Sequence, residues 1–353
     1  LEELNCNSCY NLIKIPEIKT LKKLNCNNTT IREIPKTLDY LEELNCRLCY
    51  NLIEIPKTLE CLKKLDCSCC KNLRKIPKIK TLKKLNCSLC QNLIKIPEIK
   101  TLKKLICYIT NISEIPEILN CLEKLNCKWC KNLIKIPEIK TLKKLNCHNT
   151  NISEILETLD CLEKLDCSYC ENLRKIPEIK TLKILNCENT NISEIPETLN
   201  YLEVLNCYEC KKLRKIPEIK TLNKLDCKNT NISEIPETLN YLEVLICFEC
   251  KKLRKIPEIK TLKKLNCAFT NISEIPETLN RLEELNCANT NISIIPETLN
   301  RLEKLDCANT NISVIPERLD LLEELDCYYC KNLIKKPNIK TLKKINCEYY
   351  KYY

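Results

Sequence analysis

The sequence predicts a repeat solenoid of short parallel strands with few or no α-helices. Three observations predict it. First, Leu-x-x-Leu-x-Cys recurs every 20 residues, from Leu1, Leu4 and Cys6 to Leu342, Ile345 and Cys347. There are 18 copies, and a spacer of 21 residues between Leu41 and Leu62 is the only slip. A short period sustained this long marks an array in which each repeat rests on its neighbours and function resides on a surface. Second, the motif alternates inward and outward residues with period two, as a strand does. Third, a proline follows an isoleucine later in almost every repeat, where it can join neither a ladder nor a helix interior.

Each part of the repeat follows from these patterns. Counting from the first Leu, positions four and six face inward and positions three and five face outward. The proline biases the preceding Ile toward extended backbone. Only about eight residues remain before the next repeat, too few for a capped helix of ordinary length, so the return path is extended or a short 3₁₀ segment. Leu156 stands where the other repeats have proline, and the return is expected to tolerate it. Two repeat types occur: one carries Cys-x-x-Cys and ends Ile-Pro-Glu-Ile-Lys-Thr, as from Leu82 to Thr101. The other carries Asn-Thr-Asn-Ile-Ser and ends Ile-Pro-Glu-Thr-Leu-Asn, as from Leu182 to Tyr201. They alternate strictly from Leu102 to Arg281, and the longer Leu41 repeat is a hybrid of the two.

Residues 1–353 are therefore expected to form a single solenoid with 18 strand-bearing repeats, the last one partial. Solenoids need polar end caps, and none is recognisable, so the chain is read as the repeat region of a longer protein. No run of 18 apolar residues suggests a membrane span. Gly is absent, which removes glycine-rich phosphate loops of the usual kind.

The motif L-x-x-L-x-C-x-x-(C/T)-x-(x)-(L/I) resembles the leucine-rich repeat signature along the whole chain. The Ile-Pro return is most similar to the short repeats of bacterial secreted effectors, where Leu-Pro takes that place. The resemblance implies a leucine-rich repeat array with a parallel β-sheet on a concave face, short segments on a convex face, and partner binding on the concave side. It does not imply one activity, because fold does not fix function. Position six departs from the family by carrying Cys in place of Leu, which predicts a thinner core.

The 31 cysteines would suggest a disulfide scaffold in a small secreted chain. Their regular placement instead reads as small apolar core material, which fits a reducing, intracellular and cytoplasmic setting. Nine Cys-x-x-Cys pairs invite a zinc reading. From Leu102 to Arg281 those pairs lie two rungs apart, roughly 9–10 Å, too far for four thiolates to gather about one ion. No metal or cofactor is expected. The one place left open for metal or redox chemistry is the run Cys46, Cys49, Cys67, Cys69, Cys70, Cys87 and Cys90, on three successive rungs. His148, the only histidine, lacks a nucleophile at a distinctive spacing and reads as a solvated turn residue, so no catalytic residue is assigned.

Two surface strips are the candidate binding residues. Position three is Lys in six consecutive rungs: Lys64, Lys84, Lys104, Lys124, Lys144 and Lys164. Stacked like charges repel, and Lys63, Lys83 and Lys103 at position two add to the local excess. Asn or Asp at position five, in 16 of 18 rungs, offers partial relief. A net charge of +11 fits a strip that docks an acidic protein. Nucleic acid is unlikely, because arginine forks and a regular stacking series are missing. The second strip is apolar: Ile184, Val204, Val244 and Ile246, with Tyr208 and Phe248 in adjacent turns. Trp129 is the best single anchor, and Tyr108, Tyr169 and Phe269 occupy similar turn positions.

The function expected is that of a non-enzymatic protein-protein interaction scaffold binding a protein partner on its concave face. The alternatives are the substrate-targeting part of a larger enzyme or ubiquitin-ligase adaptor, and a Cys-based metal or redox module. Oligomeric state cannot be read from the pattern.

Overall fold

The structure, a computed structural model, describes residues 1–347. Its contacts cluster into two compact units, Leu1–Leu173 and Arg174–Tyr353, described separately below. Among the described residues there is no helix of any kind. Regular structure is a series of three-residue strands, one per repeat, at positions three to five.

The first unit holds β1 (Glu3–Asn5), β2 (Lys23–Asn25), β3 (Glu43–Asn45), β4 (Lys64–Asp66), β5 (Lys84–Asn86), β6 (Lys104–Ile106), β7 (Lys124–Asn126), β8 (Lys144–Asn146) and β9 (Lys164–Asp166). Each strand pairs in parallel with the next, position for position. The 21-residue spacer does not disturb the register, since Glu43 still faces Lys64. The extra residue is absorbed in the return path. The second unit repeats the plan with β10 (Ile184–Asn186), β11 (Val204–Asn206), β12 (Lys224–Asp226), β13 (Val244–Ile246), β14 (Lys264–Asn266), β15 (Glu284–Asn286), β16 (Lys304–Asp306), β17 (Glu324–Asp326) and β18 (Lys344–Asn346).

The inner repeats of each type contribute the same inward set. In the seventh rung Leu122, Leu125, Cys127, Cys130, Leu133, Ile136 and Ile139 are all buried. Burying each Leu or Ile contributes about 1.5–3 kcal/mol, and no rung can do this without neighbours above and below. The return path is extended and broken by tight turns, with no 3₁₀ segment among the described residues. Leu156 takes the place of proline without consequence. Its carbonyl accepts the Leu159 amide at 3.3 Å, as that of Pro116 accepts Leu119 at 3.3 Å.

Past the strand, the ladder continues through two further hydrogen bonds per rung. The Cys107 amide donates to the Asn126 carbonyl at 2.9 Å, and the Ile109 amide to the Lys128 carbonyl at 3.0 Å. This requires position eight to turn left-handed. Residues from Ser8 to Tyr329 at that position have φ between 49° and 62°. Asn tolerates this region and occupies it in several rungs, but Trp129, Tyr169 and Phe269 occupy it too. A bulky side chain there costs about 1 kcal/mol or more. Position five braces the same turn: its side-chain oxygen accepts the position-seven amide, as Asn146 does from His148 at 3.1 Å. Position five is therefore mainly a turn brace and not a counter-charge for the lysine column.

Candidate partner-binding face

Position three decides the electrostatics of the sheet face. In the first unit the column opens with alternating signs: Glu3 pairs with Lys23, and Glu43 with Lys64 at 2.6 Å. The next five rungs carry Lys84, Lys104, Lys124, Lys144 and Lys164 in direct register. None of these five forms an ion pair among the described residues. In the second unit Lys264 pairs with Glu284 at 2.7 Å and Lys304 with Glu324 at 2.8 Å. The Lys304 hydrogen bond holds the Glu324 carboxyl below its ordinary pKa.

Two expectations need correction here. The six-lysine strip is a five-lysine strip, because Lys64 is neutralised by Glu43. The position-two excess is smaller than the composition suggested: Lys63 is paired with Glu42 at 2.8 Å and Lys103 with Glu123 at 3.4 Å. Lys83 remains beside the uncompensated run. Adjacent charges at the strand spacing of about 4.8 Å repel by about 1 kcal/mol in water before screening.

Beside this run lies an aromatic ledge, one ring on each of four successive rungs: Tyr108, Trp129, His148 and Tyr169. Trp129 is 47% exposed. Its ring meets His148 edge-on at 5.6 Å, and His148 meets Tyr169 at 5.2 Å. Lys128 sits 4.9 Å over Tyr108 and Lys131 5.8 Å over Trp129. His148 Nδ1 lies 2.7 Å from Ser168 Oγ, which donates to Asp166 Oδ1 at 2.5 Å. His148 is thus a half-buried part of the cluster, not the freely solvated turn residue that its isolation in the sequence suggested. The signal that could have found it was the run of aromatic rings at positions seven and eight in four consecutive repeats. Ser168 is itself buried, so this polar chain presents no open nucleophile.

The apolar strip of the second unit is interrupted by a lysine. Ile184 faces Val204 directly, but Lys224 stands in register between Val204 and Val244. Ile184, Val204, Val244 and Ile246 are all half-buried. Tyr208 has Lys228 over its ring at 4.8 Å, and Phe248 packs edge-on against Phe269 at 5.2 Å. Val244 and Ile246 line one end of a shallow groove along β13 to β18.

The cysteines fill the core, but the spacing argument missed their main contact. Position six recurs in every rung, so every position-nine Cys after Cys9, which lies in the first rung, has a cysteine one rung before it. Cys130 Sγ lies 3.1 Å from the Cys107 carbonyl oxygen, and Cys70 Sγ lies 3.0 Å from that of Cys46. Where position nine is Thr, its hydroxyl donates to the position-six carbonyl of its own rung, as Thr110 does to Cys107 at 2.7 Å. Cys69 falls at the left-handed position eight and is half-buried, and burial is the first cause that pushes its thiol up. Cys327 and Cys347, position six on successive rungs, are joined through their sulfurs with Cα atoms 4.9 Å apart. Among the described residues no group of three or more His, Cys, Asp or Glu side chains is arranged to hold a metal ion.

Parallel three-residue strands at a 20-residue period, with an extended return and an inward Leu-Leu-Cys face, define a leucine-rich repeat fold. Solved structures agree on the fold. The functional domain of InlJ from Listeria monocytogenes, described as including a cysteine ladder, superposes with a TM-score of 0.73 at 21% identity, covering 92% of this chain and 73% of that one. YopM from Yersinia enterocolitica gives 0.72 at 19% identity, covering 99% and 91%. Toll, solved in complex with Spätzle in a Drosophila system, gives 0.59 at 14% identity, covering 87% and 50%. No family model matches the chain, and no curated protein matches it by sequence. No helix among the described residues is long and apolar enough to cross a membrane.

Proposed function

We infer that the chain is a non-enzymatic scaffold whose first unit docks an acidic protein segment on its sheet face. The observation that carries this reading is the break in charge alternation. At both ends the column pairs Lys with Glu, and Lys224 stands alone between valines, yet Lys84 to Lys164 stand uncompensated over five consecutive rungs. A partner bearing carboxylates would supply the missing charges, and Trp129 at the edge of the strip would anchor it. Toll's capture with Spätzle supports protein binding as a use of this fold. Nucleic acid is disfavoured because the strip is built of lysines without arginine forks and its rings form no regular stacking series. The regular use of buried Cys supports a cytoplasmic setting.

The test is a titration with a glutamate-rich synthetic peptide, read by fluorescence anisotropy. Wild-type chain should bind it with an affinity that falls as salt rises. Lys104→Glu combined with Lys144→Glu should abolish binding, while Lys264→Glu with Lys304→Glu should not. Equal loss from both pairs of substitutions would reject the assigned face.

A further inference from the structure

Eight cysteine pairs join consecutive rungs: Cys26 with Cys49, Cys46 with Cys70, Cys67 with Cys90, Cys107 with Cys130, Cys147 with Cys170, Cys187 with Cys210, Cys227 with Cys250, and Cys307 with Cys330. In each, the position-nine sulfur lies 3.0–3.1 Å from the carbonyl oxygen of the position-six cysteine one rung earlier. The position-six carbonyl thus brings the position-nine sulfur against the cysteine of the rung before, as Cys46 does for Cys70 and Cys107 for Cys130. Both members are buried. Two thiols are too few for a structural zinc site, which takes four ligands. They are the right number for a disulfide.

We propose that these eight contacts are dithiol–disulfide sites, which a low-molecular-weight disulfide such as oxidised glutathione converts into bridges between consecutive rungs. The position-nine thiolate attacks one sulfur of the glutathione disulfide and expels one glutathione thiolate. The position-six thiol gives up its proton and displaces the second glutathione thiolate from the mixed disulfide. Two protein thiols are oxidised and one glutathione disulfide is reduced to two thiols, so electrons and protons balance. The environment favours this order of attack. Hydrogen bonds from Cys107, then from Thr110, draw the Cys130 thiol down to about 7 against the penalty of burial, while the bond to Cys130 and burial push Cys107 up. Each bridge closes a loop of 23 or 24 residues, which restricts the unfolded chain and stabilises the array. In a reducing compartment the pairs remain dithiols and the array stands on packing alone.

The pattern predicts which cysteines stay out. Cys87 and Cys127 face Thr110 and Thr150 on the following rung, so neither has a position-nine thiol to meet, and the position-six neighbours that a link like Cys327–Cys347 would need, Cys67, Cys107 and Cys147, are already engaged.

The chain, unfolded and fully reduced, is refolded in oxidised glutathione and, in parallel, in reduced glutathione. Remaining thiols are alkylated, and unreduced digests are mapped by mass spectrometry. The oxidised sample should show Cys46–Cys70, Cys67–Cys90 and Cys107–Cys130 links, with Cys87 and Cys127 alkylated, and should melt at higher temperature. Cys130→Ser, which keeps a hydrogen-bond donor of similar size at the position, should lose only the Cys107 link. A second arm folds the chain under reducing conditions and then exposes it to oxidised glutathione in sub-denaturing urea, where neighbouring rungs part transiently and admit the reagent to the buried thiols, which removes any failure of oxidative refolding. Same-rung links such as Cys67–Cys70, scrambled links, or a folded chain fully alkylated in that second arm would each overturn the proposal.

Discussion

Glu43 Oε1 accepts a hydrogen bond from Lys64 Nζ at 2.6 Å, and this is the last ion pair in the position-three column before five lysines without one. The pair sets a local standard: the repeat can neutralise its own face by alternating Glu with Lys. The run from Lys84 to Lys164 departs from that standard in five consecutive rungs, where copying of a neutral repeat would have retained it.

Restoring alternation should therefore separate stability from binding. Lys104→Glu with Lys144→Glu recreates the arrangement of Lys264 with Glu284. Each new exposed pair contributes about 0.2–1 kcal/mol. Thermal denaturation should show an unchanged or raised melting temperature, even though the glutamate-rich peptide no longer binds. A clear fall in melting temperature would assign the lysines a structural role instead.

Trp129 holds a left-handed backbone that Asn holds in the next rung at Asn149. Trp129→Asn should leave stability unchanged or raise it by about 1 kcal/mol, because Asn fits that conformation better. Peptide affinity should fall, since the exposed ring is lost from the edge of the lysine run. Denaturant unfolding and anisotropy on the same sample check both halves.

The turn brace at position five can be removed singly. Asn146 Oδ1 accepts the His148 amide at 3.1 Å, and Asn146 Nδ2 donates to Asp166 Oδ2 at 3.0 Å. Asn146→Ala should cost about 1 kcal/mol or somewhat more, since two hydrogen bonds are lost. The change should also loosen His148, visible as a shift of its ring resonances in NMR. An unchanged unfolding midpoint would show that water replaces the side chain at no cost.

The core predicts a larger effect. Leu125 is buried between the sixth and eighth rungs. Leu125→Ala should cost about 2–5 kcal/mol. Because each repeat rests only on its neighbours, amide exchange should speed up mainly in the rungs around β7. Uniform acceleration along the first unit would indicate a more cooperative array.

Most of the fold was legible because one repeat encodes it. The inward Leu, Leu and Cys, the strand at positions three to five, and the harmless Leu156 all follow from alternation and from what proline forbids. The left-handed position eight was not legible. Glycine usually marks such a residue, and here Trp129, Leu89 and Glu209 fill it, held there by the ladder hydrogen bonds of adjacent rungs. The candidate site was legible as a column of lysines but not as charges. Whether a lysine is spare depends on its neighbour in register, and Lys64 differs from Lys84 only in facing Glu43. The cysteine contacts were hidden for the same reason: counting Cys-x-x-Cys along the chain overlooks the thiol that stacking brings from the rung before.

The most direct test of the central claim is lysine footprinting. The chain is acylated with a limiting amine reagent, with and without the glutamate-rich peptide, and modification is quantified at each lysine by mass spectrometry. The account predicts protection of Lys84, Lys104, Lys124, Lys144 and Lys164 on peptide binding, with Lys264 and Lys304 unaffected. Protection spread evenly over the lysines of both units, or confined to Lys264 and Lys304, would contradict it.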